Sequence, residues 1–304
     1  MAAVNMVLLF ISYPIYLQYL GVELYGLWAT FSVILVFGEM GQMGINQSII
    51  KFISESIELN DNGDTVAEYI TGAFCILIFS SILFVTFIFL FHEYFVNQLN
   101  LPDQYIALAS NLFLWFSLLV PTVVFVQLLK GILMGLGKVE LSNYLFIIGD
   151  ISKISLAIYL LSKGYEIFSL YFGWLLSNVL LIILYIVSSK NNLQKIIVFK
   201  RTVYRRIWEL IRYGKYLLGQ TAVSIAFLPM ITILIARYIG LTEVTYFNIS
   251  WKIVDNIKVI FSKGLQGIIP QVATLNNLFQ EGNKFKAIEK LQNIHRKSLI
   301  FVMS

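Results

Sequence analysis

Lys252, Asp255 and Lys258 follow one another at i,i+3 spacing inside an apolar run, Ser250–Gly264 (SWKIVDNIKVIFSKG), with Lys263 near its end. Ammonium groups so placed bind anions, phosphate above all, and a carboxylate between them relieves their repulsion or takes up a proton or cation. The chemistry is expensive in this setting. About ten Leu, Ile, Val or Phe residues across 246–270 favour insertion into a bilayer by roughly 3–6 kcal/mol. The three central charges oppose it by roughly 7–10 kcal/mol. The segment can therefore cross a membrane only with its charged side on water.

The spacing allows that. At 100° per residue, Asn248, Lys252, Asp255, Asn256, Lys258, Lys263 and Gln266 fall within about 160° of arc, while Ile249, Ile253, Val254, Ile257, Ile260 and Phe261 fill the other side. Lys252, Lys258, Lys263, Asn248 and Gln266 are the candidate anion-binding residues. Lysines outnumber Asp255, so the face is net positive. Ser32, Glu39, Gln42 and Asn46 form a companion face within about 80° on a helix predicted over 25–48. Asn5, Ser12, Tyr16 and Tyr19 align on a helix before it, and Asp150 and Lys153 make another i,i+3 pair. Glu39, Asp255, Asp150 and Lys153 are candidates for ion coupling or for tuning the lysines. The competing reading is adhesion between helices: Asp150 and Lys153 can satisfy each other, and Glu39 can pair with a lysine.

The elements that position these residues must be membrane spans. Of 304 residues, 58% are hydrophobic and only 13% charged, and the mean hydropathy is +0.79. That is too little charge to cover a soluble surface. Apolar stretches predict eight spans, near 4–20, 25–48, 69–91, 106–130, 143–162, 167–189, 214–237 and 246–270, with a ninth opening at Lys297–Ser304. The first twenty residues lack a basic start and a small-residue cleavage site, so they are read as a span and not as a signal peptide. Most of the 22 basic residues follow spans 2, 4, 6 and 8, which puts the even-numbered connections in the cytoplasm. The net charge of +5 is thereby assigned to membrane orientation and to anionic lipids, not to nucleic acid. A single cysteine, Cys75, excludes an intramolecular disulfide, and two distant histidines, His92 and His295, offer no metal cluster. No cofactor is expected.

The stretch 198–215 is basic and amphipathic. It is expected to lie on the cytoplasmic leaflet, with Ile207, Leu210 and Ile211 toward lipid and Arg205, Arg206 and Arg212 toward phosphates. Pro14, Pro121 and Pro229 mark candidate kinks. An internal repeat is visible. Leu20–Ile34 (LGVELYGLWATFSVI) resembles Ile239–Ile253 (IGLTEVTYFNISWKI), and Gly44–Tyr69 is echoed by Gly267–Leu291, at an offset near 220 residues. Both copies open with an odd-numbered span, which implies parallel lobes related by an axis along the membrane normal. The expected organisation is an all-α polytopic bundle: a six-helix lobe over 1–189, a basic linker over 190–213, and an incomplete second lobe over 214–304.

Tyr19–Trp28 (YLGVELYGLW) and Phe37–Glu55 (FGEMGQMGINQSIIKFISE) resemble the polysaccharide-biosynthesis flippases, the Wzx-type O-antigen and teichoic-acid translocases of the multidrug/oligosaccharidyl-lipid/polysaccharide exporter superfamily. Tyr238–Ile257 (YIGLTEVTYFNISWKIVDNI) and Gly267–Leu275 (GIIPQVATL) resemble the helix 7–8 region of that family. The resemblance implies a V-shaped exporter that moves an undecaprenyl-diphosphate-linked oligosaccharide between leaflets. It also implies a cavity lined by basic residues, which Lys252, Lys258 and Lys263 match. Proton or sodium coupling would accompany it. Such proteins have more spans than this chain, so a fragment is expected. A multidrug/cation antiporter of the same superfamily is the alternative, and the lysine excess argues against it. A membrane glycan polymerase or transferase is a third reading. It lacks paired carboxylates or a His–Asp constellation on any loop.

Overall fold

A computed structural model describes residues 2–40, 44–59, 63–189 and 200–266. The ninth span, the second copy of the Gly44–Tyr69 motif, and the side chains of Asn5, Glu39, Gln42, Lys263 and Gln266 lie outside the described residues. The described residues form helices and no strand: α1 (Ala2–Met40), α2 (Ile45–Glu58), α3 (Gly63–Asn97), α4 (Asp103–Gly135), α5 (Val139–Ser162), α6 (Phe168–Ser189), α7 (Thr202–Tyr238) and α8 (Leu241–Gln266). Among them, Met6–Gly38, Asp64–Asn97, Asp103–Gly135, Val139–Ser162 and Phe168–Ser189 are long and apolar enough to cross a membrane. α7 contributes a shorter apolar segment, Ala226–Tyr238.

α1 holds two expected spans. Twelve residues of unbroken helix would set Tyr13 and Tyr25 about 18 Å apart along the axis. Their rings stand 5.6 Å apart. The chain bends back at Gly21, whose φ of 74° and ψ of 173° interrupt the helix. That backbone region is open to glycine and closed to other residues.

The expected continuous helix over 25–48 is not what forms. α1 ends at Met40 and α2 starts afresh after Gly44, which takes a left-handed φ of 70°. Ser32 and Asn46 therefore belong to different helices, and the predicted companion face does not run through both. A side chain at position 44 would press on the Gly214 carbonyl of α7. Close approach and positive φ together override the periodicity of the sequence there.

The chain falls into two compact units, one over Phe10–Asn248 and one combining Met1–Leu9 with Ile249–Ser304. In the first, α5 packs along α6 and α3 along α4, while α4 also meets α2 and α6. Leu112, Phe116, Leu119, Leu128 and Ile132 of α4 are buried at its centre. Phe79, Ile82, Leu83 and Leu90 of α3 stay exposed, as a lipid-facing helix requires. Of the expected linker over 190–213, residues 190–199 lie outside the described residues.

The basic amphipathic segment is not a separate helix on the membrane surface. From Thr202 it is the first third of α7. Leu210 is fully buried and does not face lipid. It and Ile207 lie against α3 at Gly72. Arg205 and Arg212 remain exposed, whereas Arg206 turns inward.

Candidate functional site

The two repeat copies meet. Gly21 and Gly240 both have positive φ, 74° and 146°, and each precedes a helix start. In the repeat alignment Val22 corresponds to Leu241, and Gly26 to Thr245. The Thr245 hydroxyl donates to the Val22 carbonyl at 2.7 Å. In the reciprocal contact, Gly26 lies so close to the Leu241 carbonyl that any Cβ would overlap its oxygen. Each copy thus presents the same two positions to the other, as across a two-fold axis. The Tyr25 hydroxyl donates to Asn248 Oδ1 at 3.4 Å, under a packed cluster of Tyr13, Tyr16 and Tyr25.

This geometry sorts the candidate residues. Asn248 is buried and engaged by Tyr25, not presented on an open face. Tyr16 and Ser12 are buried, so the polar line predicted along the first span packs inside the protein. Among the described side chains of that line, Tyr19 alone is exposed. Ser32 turns back to the Ala29 carbonyl. Asn46 packs against Gly131 of α4. In the second unit Lys252, Asp255 and Lys258 are all exposed on α8, and the Asn256 amide donates to the Lys252 carbonyl at 2.8 Å. Val254 and Ile257 are exposed as well.

Asp150 and Lys153 meet as the adhesion reading allowed: Lys153 Nζ donates to Asp150 Oδ1 at 2.8 Å. The pair also has an aromatic neighbour that spacing did not reveal. Lys153 Nζ stands 5.3 Å from the centre of the Trp174 ring on α6.

A second polar cluster joins α3 to α7. Arg206 donates to Glu68 at 3.3 Å, to Glu209 at 3.0 Å and to the Tyr69 hydroxyl at 3.1 Å. Tyr69 donates onward to Glu209 at 2.5 Å. Thr202 donates to the other oxygen of Glu68, also at 2.5 Å. Phe52 of α2 stacks on Tyr69, ring centres 4.9 Å apart. The clue in the sequence was the i,i+3 pair Arg206–Glu209. Glu68 gave none, because it reads as one more acid in a polar turn.

Burial alone would raise the Glu209 carboxyl, but the hydrogen bonds from Tyr69 and Arg206 and the charge of Arg206 outweigh it and hold the group below its usual range. A depressed carboxylate stabilises the fold above its unfolded pKa, and that contribution is lost as pH falls through the folded value. Thermal unfolding should therefore find Glu209→Gln less stable than the parent at neutral pH, with the gap closing below about pH 4. A gap that is constant with pH would contradict this.

The described residues build an all-α helix bundle that has a solved counterpart. It matches the solved structure of a multidrug resistance MATE family transporter of the MOP superfamily, in an inward-facing conformation, with a TM-score of 0.66 and 15% sequence identity over 97% of this chain and 66% of that one. This chain thus spans 66% of that structure's length. The family model for polysaccharide biosynthesis proteins matches residues 1–276, and the chain belongs to that family. No curated protein matches it.

Proposed function

We propose that the protein takes part in flipping an undecaprenyl-diphosphate-linked oligosaccharide across the cytoplasmic membrane for surface polysaccharide synthesis. Lys252 and Lys258, with Lys263, bind the diphosphate as point charges. Asn248 anchors the start of α8, and Gln266 stands at its far end. Asp255 and Glu39 temper the lysines or couple transport to protons or sodium. The basic ends of α4 and α7 face the cytoplasm, where anionic lipids hold them. The protein is a carrier, not an enzyme.

The observation that carries this reading is an excess of exposed ammonium groups on a helix that belongs, by family, to polysaccharide biosynthesis. Cationic residues inside a membrane protein face water or a counter-charge, and an anionic substrate supplies one. The decisive experiment changes Lys252 and Lys258 to Ala in the chromosomal gene and measures surface polysaccharide. Losing two charge-assisted contacts should lower export by about 100-fold, with the protein still in the membrane. Normal polysaccharide in that strain would end the proposal. The structural neighbour favours a second reading, multidrug antiport. Under it, vesicles containing the protein would extrude an organic cation such as ethidium and leave the lipid-linked sugar where it was.

A further inference from the structure

A flippase for such a lipid needs somewhere to put sugar, and α5 and α6 offer a surface suited to it. Leu141, Tyr144, Ile148, Ile151 and Tyr159 are exposed along α5 and mark its lipid side. At 100° per residue, Phe146, Asp150 and Lys153 lie roughly opposite that stripe. Their side of the helix faces the bundle, where complete burial would be ordinary. Yet Lys153 keeps 33% and Asp150 17% of its side-chain surface accessible. A charged pair does not stay accessible to hydrocarbon, so water reaches this surface.

Aromatic rings surround the pair. Trp174 is half-buried beside Lys153. Trp28 backs it, with ring centres 6.2 Å apart, and is wedged in turn on Phe116 at 4.8 Å. One turn away, Lys130 Nζ sits 3.9 Å from the centre of the Phe146 ring. Carboxylate, ammonium and indole in one accessible wall match the surface of a pyranose. The indole face covers the apolar C–H side of the ring, the carboxylate accepts from hydroxyls, and the ammonium donates to ring and hydroxyl oxygens.

We propose that Trp174, Asp150 and Lys153 form a saccharide subsite for the glycan of the lipid-linked substrate, with Trp28 as the residue that positions Trp174. This rests on the flippase reading above. It assigns sugar recognition to α5 and α6, apart from the lysines of α8.

The test is the affinity of the purified protein for two lipids: undecaprenyl diphosphate bearing one N-acetylglucosamine, and undecaprenyl diphosphate without sugar. Trp174→Ala should weaken the sugar-bearing lipid by about tenfold and change the bare lipid by less than about twofold. Trp174→Phe keeps a ring and should recover part of the loss, and Asp150→Asn should weaken the sugar-bearing lipid selectively. Should Trp174→Ala fail to fold, the last two variants carry the same comparison. Equal loss for both lipids, or loss for neither, overturns the subsite and leaves the flippase reading standing. A parent protein that binds neither lipid overturns the flippase reading and the subsite with it.

Discussion

Gly26→Val should prise apart the starts of the two repeat copies. A Cβ at position 26 would overlap the Leu241 carbonyl and lie 2.9 Å from Thr245 Oγ1. The Leu241 carbonyl is helix backbone, so it cannot swing clear as the end of a flexible side chain would. Overpacking of this kind costs about 1–3 kcal/mol. Separation would also break the Thr245–Val22 hydrogen bond, 2.7 Å long in the intact contact, which adds about 1 kcal/mol. The expected result is a lower unfolding temperature in detergent. A thiol cross-link between Val22→Cys and Thr245→Cys, made in a Cys75→Ser background, should also be lost. Gly26→Ala should show the same effects in smaller measure. A valine variant that cross-links as readily as its parent would mean the helices are not in this contact.

The second large effect is expected at Arg206. Its guanidinium pairs with two carboxylates, and one of them, Glu68, is buried. Arg206→Met would leave that carboxylate without its counter-charge, at a cost of about 3–5 kcal/mol. Adding Glu68→Leu should restore much of the loss, because a buried ion pair exchanged for apolar groups is often neutral. Equilibrium unfolding of the parent, both single variants and the double variant measures the coupling directly. Additive losses would show that the two side chains do not depend on each other.

The sequence carried the class of fold well, because hydrocarbon imposes simple rules. Runs of apolar residues had to be helices, and the extents of α5 and α6 follow closely from them. The repeat was legible too, since Gly21 and Gly240 both take a positive φ, which favours glycine at the same place in each copy. What could not be read was tertiary. Nothing in the 100° periodicity reports that Gly44 reverses its φ where Gly214 crowds it, so one predicted helix became two. Leu210 reads equally well as a lipid contact or a core contact. Only the neighbouring Gly72 decides the matter. Asp150 and Lys153 announced themselves by spacing, but Trp174 lies on the next helix, and sequence distance hides such partners. Ser12 and Tyr16 read as part of one polar line, and periodicity does not report that the bend at Gly21 folds Tyr25 back onto the neighbouring Tyr13.

The reciprocal contact between Val22, Gly26, Leu241 and Thr245 has an evolutionary consequence. An ancestor carrying one copy would have held both sides of this contact and could have assembled as a homodimer through it. Duplication and fusion of its gene would join the two subunits without a new interface. Since then the copies have diverged: Tyr25 is matched by Val244 and Asn248 by Ala29. The hydrogen bond of Tyr25 to Asn248 is therefore made on one side only, which no pair of identical subunits could do.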